Sequence, residues 1–158
     1  MSNVAQQLQQ SLTSQISASE NFLRLLLQER EIIAQNLIEK LPELTQNKLK
    51  LIEVLAQTEI EILSCFKQAL GENSNQQPET TIHKLDPSSK YNLLPLLQKA
   101  RDLAAECKNE NLINSQIVDG CQNQTEQTLD VLLKRDRHSV YGASGKTIKQ
   151  SGGSLGEA

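Results

Sequence analysis

The sequence predicts an all-α protein: an elongated antiparallel three-helix coiled-coil bundle with a long C-terminal helix and a disordered tail. Three observations predict it. Apolar residues recur at alternating four- and three-residue steps through three long stretches, which places them on one face of a helix each. Aromatics are 3% of the chain and Trp is absent, too few bulky β-formers for a compact sheet protein. Leu, Gln, Glu and Lys, all good helix formers, dominate instead. At 158 residues the chain is about one domain long.

The first helix is expected from about residue 4 to 36. Leu12, Ile16, Ser19, Leu23, Leu26, Arg30, Ile33 and Leu37 keep the spacing, with Phe22 and Leu27 widening the stripe. Leu41-Pro42 marks a break, because proline disfavours helix at the residue before it and suits the first turn of the next. The second helix follows over 42–70, along Leu44, Lys48, Leu51, Leu55, Thr58, Ile62, Cys65 and Ala69, flanked by Ile52, Leu63 and Phe66. Gly71 stands where a helix commonly ends. Residues 71–91 read as linker, polar and without a period, in which Ile82, Leu85 and Pro87 can pack locally. The third helix is expected over 92–137; Pro95 falls in its first turn or kinks it. Its seam runs Leu93, Leu97, Ala100, Ala104, Cys107, Asn111, Asn114, Val118, Cys121, Thr125, Thr128, Leu132. Gly120 weakens it by roughly 1 kcal/mol against Ala. The helical part thus covers 1–138, and 139–158, rich in Gly, Ser and Lys, is expected to be a flexible tail.

Charge and cysteine usage narrow the function. Sixteen Lys+Arg against 19 Asp+Glu leave a net charge of −3, which attracts neither nucleic acid nor an anionic membrane surface. No unbroken apolar run is longer than three residues, as at Leu25-Leu26-Leu27, far short of the roughly 20 residues that span a bilayer. The first residues, Met1-Ser2-Asn3-Val4-Ala5-Gln6, have no basic and apolar signal-peptide regions, so a cytoplasmic protein without membrane insertion is expected. Cys65, Cys107 and Cys121 are far apart, lack Cys-x-x-Cys spacing, and read as small buried core residues. His83 and His138 stand alone, so no metal site is expected. Gly145-Lys146-Thr147 lacks the first glycine, the strand and the helix of a phosphate-binding loop. No nucleophile, base and acid fall into a catalytic arrangement. No catalytic residue and no cofactor are expected, and the chain reads as a binding module, not an enzyme.

Helix lengths say where binding occurs. At roughly 1.5 Å per residue the first two helices reach about 45–50 Å and the third about 70 Å. The bundle can cover the third to about Cys121. Leu129, Val131, Leu132 and Leu133 are then left without partners inside the chain, and such apolar surface marks a protein-binding site; the alternative is a bend at Gly120 that folds the end back. Asn111 and Asn114 fall on the seam itself, where a buried Asn fixes register or partner; the alternative is that they meet solvent.

The chain resembles the FlgN family of flagellar export chaperones over most of its length, most tellingly in its C-terminal part. The resemblance rests on Asn111-Leu112-Ile113-Asn114, on the apolar residues Ile117, Val118, Leu129, Leu132 and Leu133, and on the close Tyr141-Gly142-Ala143-Ser144-Gly145. The Leu/Glu helices around Leu25-Leu26-Leu27-Gln28-Glu29-Arg30-Glu31 agree in manner. Ser115, where the family often has Gly, departs from the pattern. The resemblance implies a cytoplasmic chaperone that binds the C-terminal helical segments of the hook–filament junction proteins FlgK and FlgL. It also implies delivery to the flagellar type III export gate. Asn111, Asn114, Ile117, Val118, Leu129, Leu132 and Leu133 would bind the exported protein, and Tyr141 and Gly142 would dock at the gate. The rival reading is a structural coiled-coil scaffold that forms a homodimer through the same stretch.

Overall fold

The computed structural model describes the backbone of residues 2–71 and 75–156, and their side chains except at 2, 122, 125 and 135–156. It is helical, with no strand among the described residues. The elements are α1 (Ser2–Ala34), a 3₁₀ turn at Ile38–Lys40, α2 (Leu41–Leu70), α3 (Pro78–Leu85) and α4 (Leu93–Gly156). The chain divides into two units, Met1–Asn114 and Ser115–Ala158.

Each boundary in the first unit has a local cause. At the end of α1, Asn36 takes a left-handed conformation (φ 57°). Its N–H donates to the Ile33 carbonyl at 3.1 Å, and the Leu37 N–H donates to the Ile32 carbonyl at 3.0 Å. That double bond pattern satisfies the last carbonyls of a helix and stops it. Pro42 sits in the first turn of α2, a place that its fixed φ suits. Gly71 ends α2 at φ 58°, ψ −130°, its N–H donating to the Lys67 carbonyl, a backbone conformation that suits glycine alone. Within the stretch read as linker, α3 starts on Pro78 and carries Glu79 in its first turn and Lys84 in its last, charges that match its dipole. Ile82 and Leu85 are buried, whereas Pro87 is exposed. Asp86 is also buried, and its carboxylate accepts the backbone N–H groups of Tyr91 and Leu93. It thus caps the start of α4, which begins at Leu93 and keeps Pro95 in its first turn.

The pairings fix directions. Ser11 meets Glu61, Gln15 meets Glu59, and Lys48 meets Glu29, so α1 and α2 run antiparallel. Gln9 meets the Tyr91 carbonyl, Cys107 meets the Ser19 carbonyl, and Asn114 meets the Leu26 carbonyl, so α4 returns parallel to α1. One core joins Ala5, Leu8, Leu12 and Ile16 of α1 to Ile62 and Cys65 of α2. Ile82 and Leu85 of α3 and Leu93, Leu97 and Ala100 of α4 complete it. A second, smaller core gathers Phe22, Leu26 and Cys107, with Leu23, Leu51 and Leu55 against it. The seams predicted for α1 and α2 are the faces that point inward. Leu27, expected to widen the α1 stripe, is 49% exposed; Ile52 and Leu63, expected to flank the α2 seam, are 45% and 50% exposed.

Candidate partner-binding site

The last layer of the first unit is polar, and two charged residues on the predicted seams build it. Asn114, 2% exposed, donates from Nδ2 to the Leu26 carbonyl at 2.8 Å and to Glu29 Oε1 at 2.9 Å. Its Oδ1 accepts from Arg30 Nε at 3.0 Å. Arg30 also ion-pairs with Glu110 and reaches the Glu110 carbonyl. Lys48 of α2 donates to the other Glu29 oxygen at 2.8 Å and lies 5.9 Å from the centre of the Phe22 ring. Both donors of the Asn114 amide are therefore used, and two cations balance two carboxylates. Among the described residues no buried side-chain nitrogen or oxygen lacks a hydrogen-bond partner. This layer fixes the register of α4 on α1, one of the roles open to a seam asparagine. Asn111, one turn earlier, is exposed and meets solvent, the other alternative.

Burial along α4 stops here, about two turns before Cys121. Ile117 is half-buried, Val118 is 38% exposed, and Cys121 is exposed instead of being a core residue like Cys65 and Cys107. The reason lies in α1. Arg30 is level with Asn114, and α1 ends one turn later at Ala34, so the first unit has little helix left beyond this layer. Cys65 and Cys107 are buried thiols whose pKa is raised, chiefly by removal from water.

In the second unit Leu129 is 52%, Val131 63%, Leu132 47% and Leu133 56% exposed. Val118, Cys121, Leu129, Leu132 and Leu133 fall within an arc of roughly 120° at about 100° per residue, while Val131 points the other way. They form an interrupted apolar face of one helix. Tyr141, Gly142 and the expected tail from Ser139 onward concern side chains outside the described residues. The sequence reading missed Glu29, Arg30, Lys48 and Glu110 as a unit. The signal was present: Arg30 and Lys48 occupy seam positions, where a charge needs a partner.

No group of three or more His, Cys, Asp or Glu side chains among the described residues could hold a metal ion. Among the same residues no helix is long and apolar enough to cross a membrane. The described residues define an all-helical bundle whose last helix carries exposed leucines. The family model described as FlgN protein matches residues 1–149. The chain belongs to that family, which is one of flagellar export chaperones. No curated protein and no solved structure matches the chain.

Proposed function

We propose that this protein is a cytoplasmic export chaperone that binds the C-terminal helical segments of hook–filament junction proteins of the FlgK and FlgL type. It keeps them from assembling early and delivers them to the flagellar type III export gate. It acts by binding and has no catalytic role. The observation that carries the reading is the set Leu129, Leu132 and Leu133, each about half exposed and spaced at i, i+3 and i+4. An amphipathic helix can lay its apolar face against such a set. Full burial of a leucine is worth roughly 1.5–3 kcal/mol, and these side chains retain about half of that to give. Val118 and Ile117 extend the surface, Asn111 borders it, and Asn114 positions the helix from within. Tyr141 and Gly142 dock at the gate, an assignment that rests on the resemblance of the Tyr-Gly close to that of the family.

The test is a Leu129→Asp/Leu132→Asp double variant, assayed by calorimetric titration with the C-terminal segment of a junction protein. Binding should be lost, with the unfolding midpoint nearly unchanged. Loss of the fold would place these leucines in a core. Intact binding would place the substrate elsewhere. A change only in the chain's own oligomeric state would favour the scaffold reading, for which the same exposed leucines are the motive.

A further inference from the structure

The apolar face of α4 has two unlike edges. On one side stand Asp119, Glu126 and Asp130, all exposed. At about 100° per residue they lie within an arc of roughly 40° that borders Leu129 and Leu133. The other side carries Ile117, Gln124, Thr128 and Val131, none of them charged. The sequence spacing is the cause. Asp119 directly follows Val118, and Asp130 directly follows Leu129; Glu126 falls seven residues after the first carboxylate and four before the second. Steps of seven and four return to the same flank of a helix. None of the three belongs to an ion pair among the described residues. Lys134, four residues after Asp130, lies farther round the back of the helix and forms no ion pair with it. Glu126 and Asp130, one turn apart, repel each other and weaken the helix while nothing opposes them. A row of carboxylates alone is a solvated face. A row along one edge of an exposed apolar stripe is the arrangement by which coiled-coil helices choose partner and direction.

The complement follows from the geometry. A helix laid on Leu129, Leu132 and Leu133 meets carboxylates along one edge of its own apolar stripe and uncharged side chains along the other. Cations on the first edge, at steps of four and seven, match it. Which edge that is depends on the direction of the helix. In an antiparallel pair like edges meet, so the cations stand one position after the stripe residues, as the carboxylates do on α4. In a parallel pair unlike edges meet, and the cations stand one position before. Rim charges add little affinity, but they penalise a wrong register, direction or charge pattern.

We propose that Asp119, Glu126 and Asp130 are specificity determinants of the α4 face. They select an amphipathic helix with Lys or Arg along a single edge of its apolar stripe, and they set the direction in which it lies. This role rests on the reading of that face as the site for the exported helix, and it names the chemistry of that helix.

Calorimetric titration of the full chain tests it, with the C-terminal segment of a junction protein and three designed helices that share one leucine stripe. The first carries Lys one position after the stripe residues, the second carries Lys one position before them, and the third replaces Lys by Glu. Both Lys helices should bind about ten-fold more tightly than the Glu helix, and the advantage should fade at high salt. Asp119→Asn/Glu126→Gln/Asp130→Asn should remove that advantage and weaken the junction-protein segment several-fold, with the helical spectrum unchanged. A spin label on the N-terminus of the first helix should broaden the Leu132 and Leu133 methyl signals before that of Val118; on the second it should broaden Val118 first. Equal binding of Lys and Glu helices overturns the inference, as does one direction for both Lys helices. So does a junction-protein segment indifferent to the triple variant but lost with Leu129→Asp/Leu132→Asp, a result that leaves the proposed function standing. A segment that still binds Leu129→Asp/Leu132→Asp removes the proposed function and the inference with it.

Discussion

Asn114 closes the last layer of the first unit with both amide hydrogens donated and its oxygen accepting, and its removal has a measurable cost. Asn114→Ala leaves the Arg30 Nε without its acceptor and takes one of the two donors from Glu29, in a layer where the Lys48 and Glu29 side chains are 16% and 14% exposed. A buried polar group left without its partner costs about 1–3 kcal/mol, and urea unfolding of the variant should show a loss of that size. Other single groups set the dependence on pH. Glu79 is held below the usual carboxylate range by its hydrogen bond from the Arg101 guanidinium. Its folded pKa is depressed, so its contribution is present above the unfolded value and is lost as pH falls through the folded one. The pair is solvent-exposed and the effect is small; Glu79→Gln should lower stability slightly at neutral pH, the difference from the parent closing as acid protonates the carboxyl. Cys65 and Cys107 run the other way. Their pKa values are raised by burial, so their contribution is complete below the unfolded thiol pKa and is lost as pH rises through the folded one. Both thiols should resist an alkylating reagent in the folded protein at mildly alkaline pH and react on unfolding, as mass spectrometry would show.

At the scale of elements, the backbone punctuation decides where helices stop. Gly71→Ala meets no atom within 4 Å of the added Cβ, yet the position has φ 58° and ψ −130°. The strain alone should lower stability by about 1 kcal/mol or more, read as a lower thermal midpoint with an unchanged helical spectrum. Gly71 and Pro42 were legible because each acts through its own backbone. α3 was not, because eight residues are fewer than a periodicity needs to declare itself. Its start at Pro78-Glu79 and its end at His83-Lys84 carried the only signal. The exposure of Ile52 and Leu63 on α2 also escaped the sequence reading. A search for one seam per helix absorbs them as its margins, and only the packing places them outside.

At the scale of the whole molecule, lengths alone identified α4 as carrying the exposed leucines but could not fix where its cover ends. That limit is set by stagger, and stagger is set by specific polar pairs: Arg30 and Glu29 with Asn114. Both apolar cores draw their residues from the first unit, none beyond Cys107, whereas the residues proposed for the exported partner lie mostly in the second. Stability and recognition should therefore separate under truncation. A chain ending at Val118 keeps every core residue and the whole polar layer, so its unfolding free energy should match that of the full protein within about 0.5 kcal/mol, while capture of the junction-protein segment is lost. A chain ending at His138 retains Leu129, Leu132 and Leu133 and should bind that segment with full affinity. It lacks Tyr141 and Gly142, so secretion of the junction proteins and motility should fall at matched expression. Unfolding of the shorter chain would mean that residues after Val118 belong to the core. Full secretion by the longer one would remove the Tyr141-Gly142 stretch from delivery, and loss of binding by it would move that stretch into the substrate site.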